Sequence, residues 1–198
     1  MSLEITVYAN QLSDEYIPRI ISRLNDFEMV CEVHPDFSFS GQTGFVPFKY
    51  RLTNPPFEIL RDKELMTGFE MYINDFDYER ERTELKPTRS FIGRLLGKKQ
   101  ADQPLFDSEI DKRVKDCKKA ISFVWHVADS FELRFASLTS AILTELTDGV
   151  CTYPADNIWY ENENLVEKTW QEINHFETTL LKERDLKFHA FEGWGIAS

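Results

Sequence analysis

The stretch KAISFVWHVADSFELRFASLTSAILTELTDG, residues 119–149, joins two kinds of hydrophobic pattern. Its first ten residues are rich in β-branched and aromatic side chains, which is typical of a strand. From Asp129 onward, apolar side chains recur at helical spacing, and Gly149 suits the end of such a helix. Asp129 and Glu132 have the spacing of a capping box. The stretch therefore predicts a strand followed by a long amphipathic helix.

The flanking sequence predicts further strands and two more helices. Alternating or β-prone runs predict strands at 3–9, 28–34, 45–53, 69–79, 150–154 and 157–161. Helical spacing predicts one helix after Ser13 and a second long one over 164–185. Helices do not alternate regularly with strands, so we expect an α+β fold with a largely antiparallel sheet. It should carry one amphipathic helix in the N-terminal half and two long ones in the C-terminal half.

One basic segment interrupts this order. Residues 86–104, KPTRSFIGRLLGKKQADQP, hold five basic residues and no acid before Asp102. We expect a single domain over 1–198, or alternatively two lobes, 1–85 and 105–198, joined by this insert. The apolar and basic core of the insert suits contact with a membrane or a partner, and the alternative is a plain surface insert.

The charge balance narrows the choice of partners. The chain has 34 acidic and 23 basic residues, a net charge of −11. Because contacts with phosphate need clustered Lys and Arg, nucleic acid and anionic membranes are disfavoured as partners. A basic protein partner fits better.

The cysteines and the N-terminal sequence indicate in which cellular compartment the protein is expected. Cys31, Cys117 and Cys151 are odd in number and widely spaced, which argues against a disulfide scaffold and a structural zinc site. The N-terminal residues lack the pattern of a signal peptide, and no apolar run is long enough to span a membrane. We expect a soluble, cytoplasmic protein.

A search for catalytic motifs finds none that names a reaction. There is no phosphate-binding loop, no dinucleotide fingerprint, no HExxH and no GxSxG, so we predict no catalytic residue, no metal site and no cofactor. Two enzyme alternatives stay open. One is a hydrolase that uses Cys151 with His126, and the other uses a pair of carboxylates.

Two segments combine acids with aromatics, namely YINDFDYERE at 72–81 and YPADNIWYENEN at 153–164. Aromatic anchors and steering charges are what a protein interface uses. The candidate interface residues are Asp75, Asp77, Glu79, Tyr153, Asp156, Trp159, Tyr160, Glu161 and Glu163. The alternative is that the two aromatics Trp159 and Tyr160 point into the core while the acids only solvate loop ends.

The stretch SFELRFASLTSAILTELTDGVCTYPADNIWY resembles a pattern in small bacterial α+β proteins. In these proteins an Arg- and Ala-containing helix ends in an Asp-Gly turn, and a strand, a Pro/Asp turn and an aromatic strand follow. Several of them look like immunity proteins paired with polymorphic or contact-dependent toxins. The resemblance covers roughly residues 119–177 and carries over no toxin-contacting residue. It implies an acidic, cytoplasmic inhibitor of a basic toxin.

Charge and resemblance together favour an acidic, non-enzymatic binding protein. Its expected role is that of an immunity protein, which neutralises a cognate bacterial toxin by occluding the toxin's active site. The alternatives are the hydrolase described above and an adaptor subunit of a secretion apparatus that docks through the basic insert.

Overall fold

The computed structural model of the protein describes residues 3–40, 44–84, 108–160 and 162–194. Eight strands run through these segments, because β-branched and aromatic residues alternate there with polar ones. They are β1 (Leu3–Ala9), β2 (Met29–Val33), β3 (Gly44–Leu52), β4 (Leu65–Asp75), β5 (Lys119–Trp125), β6 (Val150–Tyr153), β7 (Ile158–Trp159) and β8 (His189–Ala190).

The strands form one sheet in the order β2-β3-β4-β5-β1-β6-β7, and β8 pairs with the start of β4. Every pair is antiparallel. Strand β5 lies between β4 and β1, so strands from both halves of the chain alternate in the sheet. At its centre Val7 pairs with Ile121 on one side and with Cys151 on the other. The predicted α+β fold with a largely antiparallel sheet is confirmed.

Five helices accompany the sheet in the described segments. They are α1 (Tyr16–Leu24), α2 (Tyr78–Glu84), α3 (Ser108–Val114), α4 (Glu132–Thr147) and α5 (Leu165–His175). A π-helical turn, Phe176–Leu180, continues α5. The helix predicted for 164–185 therefore loses its regular hydrogen bonding at His175, where the wider π turn begins.

Helix α4 lies at the centre of the molecule. Every residue from 134 to 144 is buried, because the sheet covers one side of the helix while α1 and α5 pack on the others. Two of the small polar residues inside it, Ser140 and Thr144, are satisfied by the helix's own backbone. Ser140 Oγ donates to the carbonyl of Ser137 at 2.9 Å, and Thr144 Oγ1 donates to that of Ser140 at 2.7 Å. These two hydroxyl groups are therefore buried with their donors paired, whereas the buried Oγ1 of Thr139 has no hydrogen-bond partner among the described residues.

A buried ion pair ties α4 to the π turn. Arg134 and Glu177 are each only 2% exposed, and the Arg134 guanidinium donates through Nε and Nη2 to the two carboxylate oxygens of Glu177. Its Nη1 donates to the carbonyl of Phe27 at 3.2 Å, and its Cζ lies 5.0 Å from the ring centre of Trp170. The pair thus links three segments that are far apart in the sequence, around Phe27, Arg134 and Glu177.

Several predicted boundaries are wrong. The strand predicted for 119–128 ends at Trp125, and the strand predicted for 157–161 covers Ile158–Trp159 among the described residues. The strand predicted for 69–79 begins four residues earlier, at Leu65, and ends at Asp75, after which helix α2 begins at Tyr78. The left-handed position that ends α4 is taken by Asp148, with φ 49°, and not by Gly149. Gly149 is needed for a different reason, since a Cβ there would lie 2.6 Å from the backbone oxygen of Tyr8. The helix end is therefore pressed against β1.

Candidate functional site

The two acidic and aromatic segments converge on one side chain, Tyr8 of β1. The ring centre of Phe76 lies 4.8 Å from that of Tyr8, and the ring of Trp159 stacks on Tyr8 at 6.1 Å. The register explains this meeting, because Val150 pairs with Tyr8 and starts the β6–β7 hairpin that carries Trp159. The segments are far apart in sequence but adjacent in the fold.

This contact belongs to a small second core on the face of the sheet opposite to α4. Its members are Tyr8, Phe76, Tyr78, Ile110, Val114, Cys117, Ala120, Val150 and Trp159, here called the Tyr8 cluster. Helices α2 and α3 supply part of it, and Tyr78 Oη donates to the carboxylate of Asp111 at 2.5 Å. The aromatic side chains of the candidate site are therefore held by packing, which suits a preformed surface.

Strand alternation separates the three predicted aromatic anchors. Trp159 packs against the Tyr8 cluster, whereas Tyr153 and Tyr160 pack against the main core on the α4 side. All three are partly buried. The structure thus brings Trp159 to the segment 72–81 and turns the two tyrosines the other way, because neighbouring residues of a strand point to opposite faces.

The acids of the first segment are exposed but have neighbouring cations. Asp75 accepts a hydrogen bond from Lys119 Nζ at 2.7 Å, and this bond holds the pKa of Asp75 below its usual value. Glu79 forms an ion pair with Arg82 at 2.8 Å, and Asp77 accepts from the backbone N–H of Arg80 at 3.1 Å. Part of the negative charge predicted for this segment is therefore neutralised locally.

The acids of the second segment lie on the β6–β7 hairpin and beyond it. Asp156 ends the short 3₁₀ turn Pro154–Asp156, and Glu163 follows β7; both are exposed. Burial raises the pKa of Tyr160, and the nearby charges, Asp156 among them, add to the shift. Glu161 and the basic insert 86–104 lie outside the described residues.

The structure does not bring Cys151 and His126 together. Cys151 lies on the α4 side of the sheet and is 2% exposed, while His126 follows β5 and its Nε2 lies 3.5 Å from Glu70 on the other face. Burial raises the pKa of the Cys151 thiol to about 12, so it stays protonated at neutral pH. The geometry gives no support to a thiol hydrolase built from this pair.

We therefore expect native Cys151 to be inert toward thiol reagents. With a chromogenic disulfide at pH 8, the folded protein should release thiolate at least about a hundred times more slowly than the protein in denaturant, because attack needs an accessible thiolate. Cys31 and Cys117 are also buried, so they should behave alike. Rapid labelling of Cys151 in the folded protein, located by mass spectrometry, would contradict this assignment.

The predicted acidic residues are also not arranged for carboxylate catalysis or for metal binding. An acid–base pair needs at least one buried carboxyl group, and Asp75, Asp77, Asp156 and Glu163 are all exposed. Among the described residues no group of three or more His, Cys, Asp or Glu side chains is placed to hold a metal ion.

The carboxyl group with the strongly altered environment is Asp129, which the sequence suggested only as a helix cap. It is 5% exposed, and its Oδ1 accepts from the N–H of Phe131 at 2.7 Å and from Thr67 Oγ1 at 3.1 Å. Burial raises its pKa to about 6 in spite of these hydrogen bonds. The available signal was the position of Asp129 between a β-prone run and a long apolar helix, where the chain leaves the sheet.

Comparisons with known proteins add no candidate. Within the described segments, no helix is both long and apolar enough to cross a membrane. The chain matches no protein-family model, no curated protein and no solved structure.

Proposed function

We propose that the protein is an acidic, non-enzymatic binding protein that neutralises a cognate bacterial toxin by covering the toxin's active site. The observation that carries the proposal is the convergence of the two acidic and aromatic segments on the Tyr8 cluster. A convergent surface lets aromatic contact and negative charge act on the same partner. The net charge of −11 supports a basic partner.

Within this surface Trp159 is the proposed anchor. Its ring is partly exposed, and Tyr8 fixes it from below, so little side-chain entropy is lost when a partner binds. Asp156 lies on the same hairpin as Trp159, and Glu163 lies just after β7. Asp75, Asp77 and Glu79 supply the acidic groups of the other segment. Tyr153 and Tyr160 support the hairpin from the opposite face.

The acids Asp156 and Glu163 should act mainly on the rate of association. Lys119 pairs with Asp75, whereas no Lys or Arg among the described residues pairs with Asp156 or Glu163. Replacing both of these acids with lysine is therefore expected to slow association about tenfold at low salt. The dissociation rate should change little, and the dependence of the association rate on salt should weaken. Surface plasmon resonance at several salt concentrations measures all three.

The partner must first be obtained. We would purify the tagged protein from its native cells and identify the proteins that co-elute at low salt and are released at high salt. A stoichiometric basic protein whose toxic activity is abolished by this chain is the expected result. A stoichiometric partner that is not toxic, or whose activity the chain leaves unchanged, would contradict the immunity role.

The matched control moves the same charge to the other edge of the sheet. Glu32 on β2 and Asp36 just after it are exposed, and β2 and β7 are opposite ends of the strand order. The pair Glu32→Lys and Asp36→Lys changes the net charge as much as Asp156→Lys and Glu163→Lys. Equal slowing in the two double variants would show that net charge alone steers the partner, and would remove the Tyr8 cluster from the proposal.

A further inference from the structure

A cavity of about 420 Å³ lies on the α4 side of the molecule, on the face of the sheet opposite to the Tyr8 cluster. It is open to solvent and is lined by the start of β1, the end of β5, the start of α4, the π turn and residues 181–187. Most of its wall is apolar, from Leu3, Trp125, Leu133, Phe176, Leu180 and Leu181. At about 30 Å³ for each water-sized group, the cavity has room for about a dozen non-hydrogen atoms.

The backbone around this cavity is unusual at two places. Val127 adopts a left-handed conformation with φ 60°, which is costly for a β-branched residue, and its side chain is 55% exposed at the cavity mouth. The opposite wall is the π turn Phe176–Leu180. Strained residues and π turns persist where the surrounding structure holds them, and both are frequent at binding sites.

Asp129 provides a buried charged group in this mostly apolar wall, whereas Lys182, Asp185 and Lys187 in the same lining are exposed. Its Oδ1 is satisfied by Thr67 and Phe131, but its buried Oδ2 has no hydrogen-bond partner among the described residues. A buried carboxylate oxygen without a partner is unfavourable, because it has lost its water and gained nothing in exchange. A ligand that donates a hydrogen bond or carries a positive charge at this point would remove that cost.

We propose that this cavity binds an amphiphilic organic cation, whose ammonium group pairs with Asp129 and whose apolar body of about a dozen atoms fills the space beside Trp125 and Phe176. An inorganic cation does not fit, because Asp129 is the one buried carboxylate in the lining and Asp185 is exposed, whereas such ions need several converging oxygen ligands. Asp129 Oδ2 is itself buried, so the ammonium group reaches it only when the carboxyl group turns about χ2, and the new ion pair must offset the Oδ1 hydrogen bonds to Thr67 and Phe131 that this turn weakens.

The charged groups at the cavity mouth also favour a ligand whose ammonium group lies inside the cavity, beside Asp129. Lys182 Nζ donates to the carbonyl of Thr179 at 2.8 Å, so this cation is already engaged with the end of the π turn. Lys187 and Asp185 line the same side and are exposed. Exposed charges at the mouth are screened by solvent, whereas the pairing with the buried Asp129 carboxylate is screened much less.

Several charged or titratable groups act on Asp129, and a test by pH must separate them. They are Tyr50 on β3, Glu132 on α4, His189 on β8, and Lys182, Asp185 and Lys187 in the cavity wall. Burial is the main cause of the raised pKa of Asp129, about 6, and the positive charge of His189 acts in the opposite direction. Proton uptake by Asp129 below this pH removes the partner of the ligand's ammonium group.

The test uses the full chain and two probes of nearly the same shape, 4-phenylbutylamine and 4-phenylbutanol, with binding measured by calorimetry. At pH 7.5 we expect the amine to bind at least about tenfold more tightly than the alcohol, since only the amine is charged. Between pH 7.5 and pH 5 the affinity for the amine should fall about tenfold, because the ionised fraction of Asp129 falls by that factor. The affinity for the alcohol should not fall.

Variants distinguish the cavity from the acidic surface in general. Asp129→Asn should abolish the preference for the amine, whereas Asp185→Asn, at the mouth of the same cavity, should change the affinity for the amine less than about twofold. His189→Gln should preserve the fall in affinity at low pH. Equal binding of amine and alcohol by the unaltered protein, an unchanged preference in Asp129→Asn, or equal losses in Asp129→Asn and Asp185→Asn would each overturn the proposal. It stands apart from the proposed toxin neutralisation, which uses the other face of the sheet.

Discussion

Truncating Glu177 to alanine is expected to lower the free energy of unfolding by about 3–5 kcal/mol. The Glu177 carboxylate receives two hydrogen bonds from Arg134, and both side chains are only 2% exposed. Without this carboxylate the Arg134 guanidinium stays buried. Its remaining polar and π contacts among the described residues are the hydrogen bond to the Phe27 carbonyl and the cation–π contact with the Trp170 ring. An uncompensated charge in the interior is the cause of the loss, more than the disappearance of the attraction itself.

The double variant separates these two causes. Replacing Arg134 with methionine and Glu177 with leucine removes both charges and keeps side chains of similar length, so its stability should return to within about 1–2 kcal/mol of the unaltered protein or exceed it. Denaturant unfolding with a common m-value measures both variants. If the double variant were as unstable as Glu177→Ala, the pair would be a source of net stability, and our account of it would be wrong.

A surface ion pair provides the matched control. Glu58 accepts from Arg61 Nε at 2.6 Å and from Nη2 at 2.7 Å, but the two side chains are 77% and 60% exposed. Because water screens exposed pairs, Glu58→Ala should leave the free energy of unfolding almost unchanged in spite of its similar two-point geometry. The contrast between Glu58 and Glu177 would isolate burial as the variable.

The second large effect is a pH dependence of stability that originates at Asp129. Burial raises its pKa from the usual 3.8 to about 6, so the folded protein binds this proton more tightly than the unfolded chain does. Asp129 therefore favours folding below about pH 4, and this contribution is lost as the pH rises through about 6. The difference between pH 4 and pH 7.5 amounts to about 2 kcal/mol.

Asp129→Asn tests this dependence, because the amide cannot take up the proton and keeps an oxygen for Thr67 and Phe131. We compare the free energy of unfolding of the variant with that of the unaltered protein at each pH. The difference, variant minus unaltered protein, should be about 2 kcal/mol higher at pH 7.5 than at pH 4, which means that the variant is relatively more stable at the higher pH. Other carboxylates titrate in both proteins and cancel in the comparison. A constant difference between the two pH values would show that Asp129 has no raised pKa.

The elements with long, regular hydrophobic patterns were predictable. The strand expected over 119–128 forms over 119–125, and the helix expected over 129–149 forms over 132–147. Strands β1, β2 and β3 begin and end within one residue of their predicted bounds. Boundaries failed where tertiary contacts decide them. The start of β4 at Leu65 depends on pairing with Tyr50 of β3, and that pairing has no local signal in the sequence.

The buried charges mark the limit of reasoning from periodicity. Arg134 lies three residues after Phe131 and four before Leu138, on the apolar face of α4, so a charge at a core position was visible. Its partner Glu177 was not, because it lies 43 positions further along the chain, beyond the β6–β7 hairpin. The same holds for Tyr8, whose contacts with Phe76 and Trp159 depend on the order of three strands and on helix α2.

The sequence by itself determined the fold class, the central helix, the acidic charge and the two segments that combine acids with aromatics. These are properties of composition and of spacing along the chain, and they need no knowledge of distant neighbours. Only the tertiary structure decided that Trp159 faces Tyr8 while Tyr153 and Tyr160 face the main core, that Arg134 meets Glu177, and that Asp129 lines an apolar cavity. Each of these contacts depends on strand order and register, because a shift of a single residue would turn every side chain of a strand to the opposite face.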